Sequence, residues 1–197
     1  MSPPGAEPTL LCVGRLIPIK GHLVILRALA QARARVPGVT LAVAGRGPLE
    51  PALKTYAREL GLEDAVDFLG FVSPVQRAIE NAAIVVVPSL GEGFGMVALE
   101  AMERARPVIA SAVGGLPEIV SDGETGLVVP AGDAEALADA IVALAGDLDR
   151  AAAMGSVARK RALAEFPPDR SATRIEELYA AGLGRPGSSP ERRLTRS

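Results

Sequence analysis

Apolar positions along the chain alternate between two rhythms. Short runs, most of them apolar on both faces, predict six strands: TLLCVG (9–14), VTLAVAG (39–45), VDFLG (66–70), AIVVVPS (83–89), PVIAS (107–111) and TGLVV (125–129). Between them, longer stretches predict helices over 21–35, 48–60, 74–81 and 96–104. Strand and helix in strict alternation predict βαβ units. The expected fold is therefore α/β, a doubly wound parallel sheet of about six strands flanked by helices. Such sheets bind ligands outside the carboxyl ends of their strands, so the loops that follow strands are the places to look for chemistry.

After the sixth strand the pattern turns wholly helical, over 133–145, 148–165 and 169–183. Asp133 is a candidate N-cap, because its side chain can accept from first-turn amides. Gly146–Asp147 and the FPPD of 166–169 separate the three helices. The last stretch, GRPGSSPERRLTRS (184–197), has no apolar period and reads as a disordered tail. The expected organisation is a leader over 1–8, one domain over 9–183 and this tail.

Composition narrows the classes further. The chain has 197 residues, 49% apolar and 22% charged, with a formal net charge of −2. That is enough chain for one buried core, and it offers no electrostatic drive towards nucleic acid. No apolar run reaches the roughly 18 residues of a membrane span, and MSPPGAEP at the start lacks a signal peptide's charge and apolar stretch. The expected compartment is the cytoplasm. The single cysteine, Cys12, reads as a small core hydrophobe. With one His and one Cys, the sequence shows no zinc-ligand cluster and no Cys–His pair. His22 opens a helix and reads as an exposed first-turn residue.

Four loops carry candidate chemistry. VGRLIPIKG (13–21), after the first strand, sets Arg15 and Lys20 on either side of an apolar insert, just before a helix. A planar fork of donors and a mobile ammonium together suit a diphosphate, although two solvated charges are the plainer alternative. LGEGFGMVALEAM (90–102), after the fourth strand, places Glu92 among glycines and Glu100 in an apolar helical run. Glycines let a ligand approach backbone amides. Eight residues of helix would rise about 12 Å, beyond the roughly 5–9.5 Å of a glycosidase carboxylate pair. The two carboxylates instead suit hydroxyls at opposite ends of one elongated ligand. SAVGGLPEIV (111–120) offers a Gly114–Gly115 turn and Glu118 in a short helix, and GRGPLE (45–50) leaves room at the end of the second strand.

These loops, in this order, resemble the donor-binding domain of retaining GT-B glycosyltransferases, specifically glycosyltransferase family 4, the group 1 transferases. The resemblance runs from about residue 9 to 179 and includes LAVAGRGP, VDFLGFVS, VVVPSLGEGFGMVALEAM and RPVIASAVGGLPEIVSDGETGLVVPAGD. It implies a Rossmann-like half of the GT-B fold that binds a nucleotide sugar (UDP-, GDP- or ADP-linked) as substrate, with no metal or other cofactor. Arg15 and Lys20 would hold the diphosphate and Glu92 the hydroxyls of the transferred sugar. Gly93, Phe94, Gly95, Met96 and Val97 would present backbone to sugar and phosphate, and Glu100 would accept from the ribose. Gly14 belongs to the same binding set, while Gly45, Gly47 and Val72 would lie by the base. The resemblance also implies a partner, an N-terminal acceptor-binding domain in cis or trans, without which the chain would have little activity. Where the family commonly has a small residue and glycine after EAM, this chain reads ERAR (103–106), so the helix exit is expected to differ. The reading from another class is a non-catalytic nucleotide-sugar-binding module. A dinucleotide dehydrogenase is disfavoured, because GRLIPIKG stands where a G-x-G-x-x-G turn would be needed.

Overall fold

Six apolar runs become six strands. A computed structural model describes residues 8–166; the helix expected over 169–183, the tail over 184–197 and residues 1–7 of the leader lie outside them. The strands are β1 (Thr9–Val13), β2 (Thr40–Ala44), β3 (Val66–Gly70), β4 (Ile84–Val87), β5 (Val108–Ser111) and β6 (Gly126–Val129). They form one sheet in the order β3-β2-β1-β4-β5-β6, and every neighbouring pair is parallel. The helices are α1 (His22–Arg33), α2 (Glu50–Glu59), α3 (Val75–Asn81), α4 (Met96–Glu103), α5 (Leu116–Ile119), α6 (Ala134–Ala145) and α7 (Leu148–Glu165).

From β1 the chain first winds towards β3, then crosses back to β4 and winds the other way. Right-handed crossovers in opposite directions put their helices on opposite faces. Accordingly α1 packs with α2 and α6, and α4 with α5 and α7. The central strands are covered on both sides, so β4 and β5 are buried at every position. Edge strand β3 alternates instead, exposing Asp67 and Leu69. Cys12 is a free thiol in the core at 2% exposure, as its strand pattern predicts. Burial pushes it up to about 12, the Lys20 charge opposing.

Local chemistry explains the element ends. Asp133 caps α6, accepting from the Glu135 and Ala136 amides. The Asp147 carboxylate accepts from the Arg150 amide at 2.9 Å in the first turn of α7. Helix α4 ends at Glu103, and Ala105 follows with φ 55°, a left-handed conformation that usually falls to glycine. The exit through ERAR thus keeps a glycine-type backbone while carrying a methyl group. The segment Pro18–Lys20, read from sequence as a plain loop, is a short 3-10 turn opened by its proline.

Candidate functional site

At the carboxyl edge of the sheet the strand-following loops are bonded to one another. The Leu16 amide donates to the Arg46 carbonyl and the Leu49 amide to that of Leu16, which joins the loops after β1 and β2. The Leu90 amide donates to Ile19 O at 2.7 Å, joining the loops after β1 and β4. The Gly115 amide donates to Gly93 O at 2.8 Å, joining β4 to β5, and the Gly45 amide to Gly70 O at 2.7 Å, joining β2 to β3. These bonds hold the loops as one rim. Close contacts here require glycine: for example, a Cβ on Gly21 (φ 69°) would lie 1.8 Å from Pro88 O, and one on Gly114 (φ 54°) 1.9 Å from Glu92 O.

β1 and β4 are the neighbours at which the winding direction reverses, and the crevice at such a reversal is where doubly wound sheets bind ligands. Lys20, from the loop after β1, and Glu92, from the loop after β4, meet there. Lys20 Nζ donates to Glu92 Oε2 at 2.7 Å, with the two side chains 28% and 15% exposed. The Ser89 hydroxyl donates to the same oxygen at 3.0 Å. Gly93 N lies 3.3 Å from Oε1. The stem of Lys20 passes Gly14, and Gly45 backs onto the Gly14 carbonyl, as Gly47 does onto that of Leu16.

Helix α4 starts at the same rim. Its N-cap Gly95 (φ 96°) supplies no side chain, and no acidic residue stands in the first turn. The Ala98 and Leu99 amides donate to Gly95 O, whereas those of Met96 and Val97 have no partner within the helix. They lend the rim partial positive charge. Met96 is exposed, and Phe94 and Val97 are partly buried. Glu100 is also partly buried, and its carboxyl is raised above the ordinary glutamate range, first by burial, with Glu103 adding and Arg104 opposing. It makes no side-chain ion pair among the described residues. Arg15 is exposed on the rim. Val72 follows β3, beyond β2 from the Lys20–Glu92 junction. The structure therefore brings Lys20, Glu92, Gly14 and Gly93 together, while Arg15 is exposed on the loop after β1, Val72 follows β3, and Glu100 lies further along α4 near Glu103 and Arg104. Among the described residues no three His, Cys, Asp or Glu side chains form a metal-holding group, and no helix is long and apolar enough to cross a membrane.

His22 corrects the sequence expectation. It is 2% exposed, and neither ring nitrogen has a hydrogen-bond partner. The reason is positional: His22, Ile25, Leu26 and Leu29 share the buried stripe of α1, and Gly21 lets that helix start flush against Pro88. Sequence reasoning also missed Ser89, buried at 1% exposure. Its signal was a hydroxyl closing an apolar strand three residues before a glutamate; a buried donor needs a partner.

Sheet order, crevice and interlocked rim define a Rossmann-like domain of the kind that makes up half of a GT-B glycosyltransferase. The family model for "Glycosyl transferases group 1" matches residues 7–147, and the chain belongs to that family. It is 36% identical over 183 residues to a GDP-mannose-dependent alpha-(1-6)-phosphatidylinositol monomannoside mannosyltransferase of Mycobacterium tuberculosis, covering 88% of this chain and 48% of the relative. It is 43% identical over 179 residues to a D-inositol 3-phosphate glycosyltransferase of Corynebacterium aurimucosum, covering 87% and 42%. Among solved structures, Anabaena HepE in complex with UDP and glucose superposes with a TM-score of 0.79 at 29% identity, covering 89% of this chain and 49% of that one. The chain thus spans about half the length of the curated relatives it matches.

Proposed function

We propose that this chain is the donor-binding half of a glycosyltransferase that moves a sugar from a nucleoside diphosphate to an acceptor with retention of anomeric configuration. The observation that carries the reading is the Lys20–Glu92 contact across the β1/β4 crevice, beside the uncapped start of α4. In this reading the diphosphate sits between Lys20, Arg15 and the α4 amides, and the transferred sugar lies against Glu92. Glu100 takes the ribose hydroxyls, and the base lies towards Gly45, Gly47 and Val72. As the bond from the anomeric carbon to the diphosphate oxygen breaks, negative charge grows on the leaving group. With the donor bound, these cations and amides stabilise that charge, and no metal ion is needed. The acceptor hydroxyl is held by an N-terminal domain, in cis or trans, which supplies the proximity part of catalysis. The names of the relatives support a nucleotide-linked donor: one is GDP-mannose-dependent, and HepE was solved with UDP and glucose. The buried, unpaired Cys12 suits a reducing cytoplasm.

A thermal-shift and calorimetric panel of UDP-, GDP- and ADP-sugars tests this. One of the three raises the melting temperature, and Lys20→Ala or Arg15→Ala weakens its binding by about tenfold or more, the scale of a charge-assisted contact. Glu118→Ala, an exposed residue of α5, has less effect. Equal affinity in all three variants contradicts the site. Donor hydrolysis by the wild-type chain separates the enzyme reading from that of a module that binds without turnover.

A further inference from the structure

We propose that Ser89 is a positioning residue that fixes which oxygen of Glu92 faces the sugar, and that it holds this carboxylate in place while the donor draws Lys20 away. The inference rests on the donor-site reading above. Both donors on the Glu92 carboxylate from elsewhere in the rim, the Ser89 hydroxyl at 3.0 Å and Lys20 Nζ at 2.7 Å, converge on Oε2. Oε1 has only the long contact from Gly93 N at 3.3 Å. Oε2 is therefore the anchored oxygen and Oε1 the one left for a ligand hydroxyl.

The two anchors differ in what they do when a diphosphate arrives. Lys20 carries a charge on a flexible stem, and a more highly charged anion beside it competes with Glu92 for the ammonium. Ser89 is neutral, 1% exposed and fixed at the end of β4, so it has no reason to follow the ligand. The surrounding backbone offers the carboxylate only the long Gly93 N contact, and that is on Oε1. Glu92 lies between Gly91, where a Cβ would meet Ile19 Cδ1 at 2.8 Å, and Gly93, where one would meet nothing within 4 Å, so the loop is open on the Gly93 side. The unliganded ion pair thus stores Glu92 in its working orientation, and Ser89 keeps it there after the pair opens.

This separates the two parts of the donor. Loss of the Ser89 hydroxyl lowers affinity for nucleotide sugars and leaves affinity for the bare nucleoside diphosphate almost unchanged. Calorimetry of the full chain with UDP, GDP, UDP-glucose and GDP-mannose reads this as a ratio. In Ser89→Ala the sugar-nucleotide affinity falls about tenfold relative to the diphosphate, as expected for one hydrogen bond to a charged acceptor. Ser89→Thr, which keeps the hydroxyl, retains the wild-type ratio. In a Glu92→Ala background the Ser89→Ala change has no further effect, because the two residues act as one unit. Equal losses for sugar nucleotide and bare diphosphate, or no loss at all, overturn the proposal while leaving the donor reading intact. A wild-type chain that binds none of these four, nor ADP or ADP-glucose, overturns the donor reading and this inference with it.

Discussion

Lys20 and Glu92 are separated by 72 positions in the chain and by 2.7 Å in the fold. Both were visible in the sequence as charges in loops following apolar strands. Their contact was not, because it depends on β1 lying beside β4, and no local pattern fixes which strands become neighbours. Ser89 was harder still to see, since a hydroxyl at a strand end reads as the start of a loop. His22 was misread although its signal was present: the spacing to Ile25, Leu26 and Leu29 places it on the apolar stripe. Its burial has a measurable consequence. Desolvation, with Lys20 adding, lowers the His22 pKa from 6.5 to about 4. The folded state holds the neutral ring, so stability is at its fullest above pH 6.5. It falls as pH drops from there through 4, by about 2–3 kcal/mol for this one group. Urea denaturation of wild type and His22→Leu at pH 7 and 4.5 measures the difference. The variant loses that share of the acid destabilisation; the same pH dependence in both proteins refutes it.

At the scale of elements, α4 matters most. Its amino end contributes amides to the rim, Glu100 on it is the proposed ribose contact, and α7 packs against it. The two helices meet where a Cβ on Gly155 would lie 2.2 Å from Ala105 O. Gly155→Ala forces them apart and is expected to cost about 2 kcal/mol or more, the range of overpacked sites. If α7 sets the seat of α4, donor affinity falls along with the melting temperature. A variant that melts as wild type and binds donor equally removes that link. Element boundaries were legible because apolar runs, prolines, glycines and the Asp133 cap act locally. The 3-10 turn at Pro18–Lys20 was not, although it decides where Lys20 points, since three residues carry too little pattern to separate turn from loop.

For the whole molecule, strand and helix alternation was enough to expect a doubly wound sheet. The order β3-β2-β1-β4-β5-β6 then places the reversal point at the crevice where the charged residues meet. The chain belongs to the group 1 glycosyltransferases and spans about half the length of the relatives it matches, so its crevice is proposed as the donor side of a larger cleft. What the family resemblance supplied beyond the local pattern was an expected role for each loop. The structure supplied the packing that lets those loops act together. The most direct test is amide chemical-shift mapping of the labelled chain during titration with UDP, GDP and ADP. The account predicts saturable shifts for one of them, concentrated at residues 14–21 and 92–97 on either side of the β1/β4 crevice. Shifts confined to the opposite edge of the sheet, around residues 104–107 and 148–156, or no shifts with any of the three, would contradict it.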